Sequence, residues 1–127
     1  MELHVELLLR SSSLDEQTML LDGISGPILG FHAQQAVEKL LKALLSQQGL
    51  KYPLTHDLEK LIRLLSQAGE NLPATPFPLT GLNGYAVQFR YDDPLVVPSP
   101  DPDKAKATVR IIREYVHSRI QELDQQP

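Results

Sequence analysis

The sequence predicts an all-α protein, an up-and-down bundle of four to five helices spanning residues 1–127 as one domain. Three observations predict it. Apolar residues recur at helical spacing in successive stretches, no segment alternates apolar and polar residues with the period of a half-buried strand, and glycine and proline fall between the stretches. A chain of this length has apolar surface enough for one core and none for a second.

The first helix is predicted from Leu3, Leu7, Leu14 and Leu21 at heptad spacing, with Leu8, Leu9, Met19 and Leu20 broadening the apolar arc. That heptad row is expected to be its buried face, with a bend allowed at Ser11 to Ser13. Gly23 and the Ser25-Gly26-Pro27 turn end it and start the next, with Ser25 as N-cap and proline in the first turn. From Ile28 to Gln48 the second helix carries Ala33, Ala36, Val37, Leu40, Leu41, Ala43, Leu44 and Leu45, and is expected to be the most buried. Gly49 stops it, and Tyr52-Pro53 forces an extended connection.

Thr55 is expected to cap a third helix running to about Gln67, with Leu58, Leu61, Ile62 and Leu65 inward and Asp57 and Glu59 complementing its first turn. A short fourth helix is predicted from Leu79 to Phe89 on Leu82, Tyr85, Ala86 and Phe89, although Gly81 and Gly84 disfavour it. Four prolines between Asp92 and Pro102 predict a surface loop. Asp101 then caps a final helix that Pro102 begins, with Ala105, Val109, Ile112, Val116 and Leu123 facing inward.

Composition narrows the chemistry. With no cysteine, disulfides, thiolate zinc sites and cysteine nucleophiles are excluded. The histidines at 4, 32, 56 and 117 have no recognisable metal spacing, so no metal or other cofactor is expected. A formal charge of -4 opposes steering of a phosphate backbone, so any nucleic-acid contact needs a local basic cluster. No phosphate-binding glycine loop, serine nucleophile elbow or His-Glu-x-x-His pair occurs. Nor is there an apolar run long enough to span a membrane, and the acidic start at Glu2 lacks the positive region of a secretory signal; a cytoplasmic protein is expected.

On the second helix His32, Gln35, Glu38, Lys39 and Lys42 fall within an arc of about 120° at the helical 100° per residue. In one reading the two ammonium groups hold a phosphate while Gln35 or His32 bonds a base or ribose. In the other, the stripe is solvated and Glu38 pairs with Lys42 at i, i+4. Spacing leaves both open.

The run Phe31-His32-Ala33-Gln34-Gln35-Ala36-Val37-Glu38-Lys39-Leu40-Leu41-Lys42-Ala43-Leu44-Leu45 resembles the signature helix of HEPN domains. Thr55-His56-Asp57-Leu58 resembles the family's second signature, and Tyr85 to Tyr91 followed by a long helix is similar to its later portion. The likeness spans about Leu7 to Leu123. It implies a four- or five-helix bundle, often a homodimer, commonly encoded beside a minimal nucleotidyltransferase in a toxin-antitoxin or defence pair. A nucleotide or RNA is the candidate ligand, with His32, Gln35, Lys39 and Lys42 of the stripe, His56 at the third helix, and Arg90 and Tyr91 as candidate binding residues.

Some HEPN members are metal-independent ribonucleases that use an arginine and a following histidine with four to six residues between them. A guanidinium clamps the scissile phosphate while an imidazole moves the proton of the attacking 2'-hydroxyl. Arg90 stands where the resemblance places the arginine, but Tyr91, Asp92, Asp93, Pro94 and Leu95 follow, with no histidine before His117. Carboxylates there replace a near-neutral acid/base by negative charge, so catalysis is not the expected function. Arg110 and His117 meet the spacing formally, yet at i, i+7 they sit about 10.5 Å apart along a helix axis. His56 and Asp57 admit both a capping role and an anion-binding role at the helix N-terminus.

Three functions follow as expectations: a non-catalytic module binding a nucleotide or a partner nucleotidyltransferase, a ribonuclease toxin using Arg90 or Arg110 with a histidine from elsewhere, and a structural helical adaptor whose stripe is only solvated surface.

Overall fold

The structure, a computed structural model, describes residues 2–86 and 99–126. Helix α1 runs Leu3–Met19, α2 Gly26–Gln47, α3 Leu58–Gln67 and α4 Pro102–Asp124, with a 3-10 turn at Leu79–Leu82 leading into helical residues 83–86. No strand occurs among the described residues. The bundle is all-α, as the periodicity requires.

Caps set the ends of the rods. The Ser25 hydroxyl accepts from the Ile28 amide, and Asp101 accepts from the Lys104 amide with Pro102 in the first turn, as the sequence predicts. For α3 the cap is two residues later than expected: Asp57 accepts from the Glu59 amide, while the Thr55 hydroxyl accepts from the Asp57 amide. Gly49 and Gly69 adopt φ of 77° and 91°, and the following amides of Leu50 and Glu70 reach back to the carbonyls of Leu45 and Leu65. Glycine is needed there because side chains rarely tolerate the left-handed region.

Helix α2 is the central rod. Leu29, Ala33, Ala36, Val37, Leu40, Leu41, Ala43, Leu44 and Leu45 are buried around most of its circumference, because α1, α3 and α4 all pack against it. Ala105, Val109, Ile112, Val116 and Ile120 of α4 and Leu58, Leu61 and Leu65 of α3 close the core. Gly30 lies against Tyr85, where a Cβ would stand within 3 Å of the ring. This close approach lets the tyrosine seal the core beside α2.

Two expectations are corrected. The heptad leucines of α1 do not face the core: Leu3, Leu7, Leu14 and Leu21 are all more than half exposed, whereas Val5, Ser12, Asp15 and Met19 are buried. The helix has two apolar stripes about 150° apart at 100° per residue, and the bundle covers the one containing the polar residues. The reason is chemical complementarity, since Ser12 donates to the Ala36 carbonyl and Asp15 meets cations on α2. The second correction concerns the helix expected from Leu79, whose start is a 3-10 turn; Phe89 lies outside the described residues. Helix α1 continues unbroken through Ser11 to Ser13.

Glu70 ties the ends of α2 and α3 to α4. Only 4% exposed, it accepts two bonds from Arg119 Nε and Nη2 and further bonds from Tyr115 and Gln48. Paired guanidinium donors hold its carboxyl below the usual range, outweighing burial. Burial and the same carboxylate push the Tyr115 phenol up to about 12.

Candidate functional site

The polar stripe of α2 is divided between two buried carboxylates. On the α1 side, Asp15 accepts from Lys39 Nζ at 2.6 Å and bonds His32 Nδ1 at 2.7 Å. On the α3 side, Glu38 accepts from Lys42 Nζ at 3.0 Å and bonds His56 Nδ1 at 2.9 Å. Gln34, fully buried, donates to Glu38 Oε1 and to the His56 carbonyl, and Gln35 donates to Gln34. Each carboxylate thus carries one lysine and one histidine. Burial of an ion costs several kcal/mol unless its lone pairs are met; those of Asp15 are met from α2, and those of Glu38 by Lys42 and Gln34 of its own helix together with His56.

This arrangement redistributes the sequence's candidates. Lys39 and Lys42 lie at the edge of the bundle with their charges matched, so the stripe is no unopposed cationic strip. Lys42 also stands over the Tyr52 ring at 5.5 Å, and Tyr52 in turn bonds His4. The expected pair of Glu38 with Lys42 forms. Gln34, which the stripe omitted, is the amide that ties Glu38 to the His56 carbonyl.

His56 differs from His32 in its access. Its side chain is 61% exposed, compared with 24% for His32, and it lines a cavity of about 310 Å³ with Asp57, Glu59, Asn83 and Ala86. With Nδ1 committed to Glu38, Nε2 has no partner among the described residues and is free to accept a hydrogen bond in the neutral ring. Asn83 frames the opposite wall, donating to Asp57 Oδ1 while its own carbonyl accepts from the Leu58 amide. The two motifs resembling one family's signatures therefore meet at one carboxylate.

A family model described as the HEPN domain matches residues 14–123. The chain belongs to the HEPN family. Neither the curated proteins nor the solved structures contain a match to it. Within this HEPN domain the Glu38 to His56 bond and the Gln34 bond to the His56 carbonyl join α2 to the Thr55-His56-Asp57-Leu58 segment, and His56 lines the cavity there.

Other candidates lie elsewhere. Arg90 and Tyr91 fall outside the described residues. His117 faces a cleft between α1 and α4 with Leu9, Ser12, Ser13, Glu16, Leu40 and Arg113, and Arg110 is not among those residues. The arginine beside His117 is Arg113, one turn earlier, and Glu16 of α1 binds it. Burial first, and then Arg113, pull the His117 pKa below its ordinary 6.5, with Glu16 opposing. Among the described residues no group of three or more histidine, aspartate or glutamate side chains is placed to hold a metal, and no helix is long and apolar enough to cross a membrane.

Sequence reasoning missed Asp15 and Glu70. Asp15 had a signal: it shares a face with Val5, Ser12 and Met19, so a charged residue on that face demanded cations opposite. Glu70 had none, since it follows α3 and acquires its role only through Arg119 and Tyr115 of α4.

Proposed function

We propose that this HEPN domain is a non-catalytic binding module, a homodimer that takes a nucleotide at the His56 cavity and docks on a minimal nucleotidyltransferase, as one half of a toxin-antitoxin or defence pair. The observation that carries the reading is His56 itself, solvent-accessible yet oriented by a buried carboxylate at the mouth of a cavity. An anchored imidazole whose Nε2 has no partner among the described residues matches a donor such as a ribose hydroxyl or a base amino group, and Asn83 is a second polar residue of the lining. Family membership supports the partner, and the Asp92-Asp93 sequence after Arg90 supports the absence of catalysis.

Calorimetric titration of ribonucleoside monophosphates into the purified domain tests the reading. Binding is expected, weakened about tenfold or more in His56→Ala, which removes a hydrogen bond worth about 1 kcal/mol together with ring contacts. Equal affinity in His56→Ala removes the cavity from the site. Lys39→Ala and Lys42→Ala examine the phosphate role separately: unchanged affinities leave base and ribose as the recognised groups. RNA incubated with wild type, Arg90→Ala, Arg110→Ala and His117→Ala is expected to stay intact in all four, and cleavage by wild type alone would restore the ribonuclease reading. Co-purification with a minimal nucleotidyltransferase expressed alongside the domain tests the partner.

A further inference from the structure

Helices α1 and α4 each pack against α2 but meet one another only sparsely, and two cavities lie along the seam between them. The smaller, about 50 Å³, has Ser12, Ser13, Glu16 and Arg113 in its lining; the larger, about 240 Å³, has Ile120 and Gln121; Leu9 and His117 line both. On α4, Arg113, His117 and Gln121 follow one another at four-residue steps, so they form one row along the seam. Glu16 of α1 meets the first of them. The other two make no side-chain hydrogen bond among the described residues, and the α1 residue that shares the larger cavity with them is Leu9. An imidazole and an amide thus stand beside a leucine and an isoleucine around an open volume.

We propose that this seam is a second ligand site, separate from the His56 cavity, for a small uncharged aromatic molecule that carries a hydrogen-bond donor, of the size and chemistry of a phenol. Volume, charge and the placement of the polar groups select that class. An apolar cavity of about 150 Å³ takes benzene, so the larger cavity holds one substituted ring, and it falls short of the roughly 300 Å³ at which pockets for larger ligands begin. Glu16 and Arg113 cancel one another, and burial with Arg113 nearby favours the neutral form of His117. An ionised ligand would therefore give up its water without gaining an unopposed opposite charge. The ring of the ligand lies against Leu9 and Ile120, and its donor meets the acceptor nitrogen of His117, the polar residue common to both cavities. The nucleotide reading of the His56 cavity is not needed for this site, and either can stand without the other.

Phenol titrated into the full chain at neutral pH, followed by NMR of the His117 and His56 ring protons, is the test, with circular dichroism to confirm that each variant is folded. Saturable shifts at His117 are expected, with a Kd of about 10 mM or tighter and no saturable shift at His56. Excess phenol is expected to lower the His117 titration midpoint, because the bond engages the unprotonated nitrogen. Leu9→Trp fills the larger cavity with a ring of its own and is expected to abolish the shifts; Gln121→Trp, at an exposed position of the same lining, provides the block in a second way if Leu9→Trp does not fold. Benzoate and benzylammonium are expected to bind at least about fivefold more weakly than phenol. Absence of a saturable shift at His117, or an unchanged affinity in the folded tryptophan variants, overturns the site. Benzoate or benzylammonium binding as tightly as phenol overturns the choice of an uncharged ligand.

Discussion

Glu38 on α2 and His56 before α3 lie 18 residues apart in sequence and are joined by a 2.9 Å hydrogen bond. Because Glu38 is 4% exposed and also receives Lys42 and Gln34, it is the hub through which the central helix positions the cavity wall. Replacing it by alanine leaves a lysine and a buried amide without their acceptor. Glu38→Ala is expected to cost about 3–5 kcal/mol in urea unfolding, in the range for breaking a buried pair. His56→Ala, at an exposed position, is expected to cost less than about 1 kcal/mol while reducing ligand binding. Equal destabilisation by the two would show that His56 is a structural residue.

The Glu70 cluster limits stability at both ends of the pH range. A carboxyl held below its ordinary 4.5 stabilises the fold above that pH, and the contribution is lost as pH falls through the lowered value. A phenol raised from 10.0 to about 12 keeps its proton only in the fold, so its contribution is intact below pH 10 and lost as pH rises toward 12. Unfolding free energy measured against pH is expected to decline in both windows. Arg119→Ala removes the leading cause of the acid-side effect and is expected to cost about 3 kcal/mol at neutral pH. An acid limb as steep in that variant as in wild type would contradict the assignment.

At the cleft between α1 and α4, His117 is expected to titrate below 6.5 when followed by NMR of its ring protons. The neutral ring is favoured by folding, so this stabilising contribution is present above 6.5 and declines as pH falls through the lowered value. Arg113→Gln removes a repelling cation and is expected to move the midpoint upward, while Glu16→Gln is expected to move it downward. Movement in the opposite directions would mean that the two charges do not act on the ring as the structure places them.

The contact of Gly30 with Tyr85 predicts a packing effect without any change of charge. Gly30→Ala would ordinarily favour a helix by up to about 1 kcal/mol, yet the added methyl meets the tyrosine ring. The overpacking cost of about 1–3 kcal/mol is expected to win, lowering the urea midpoint. A raised midpoint would show that Tyr85 moves aside freely.

Much of the bundle was legible in the residues. Ser25, Asp101, Pro102 and Gly49 marked helix ends through local backbone chemistry, which acts within a few residues and therefore needs no tertiary information. The start of α3 was displaced from Thr55 to Asp57 because both side chains accept amide bonds there, in successive turns. Of the candidate site, His56, Glu38 and Lys42 were visible as a motif. Gln34 was missed because a fully buried glutamine within an apolar helix has no signal in periodicity, only in the partners that Glu38 and the His56 carbonyl provide.

Sequence by itself determined the helices, most of their caps, the central place of α2 and the resemblance that the family model matches. Tertiary structure alone decided which of two apolar stripes α1 buries and where the lysines of α2 spend their charge. The physical reason is that helical spacing specifies which side chains share a face but not which face a neighbour covers. That choice fell to Asp15, whose carboxylate is tolerable in the core only where Lys39 and His32 meet it.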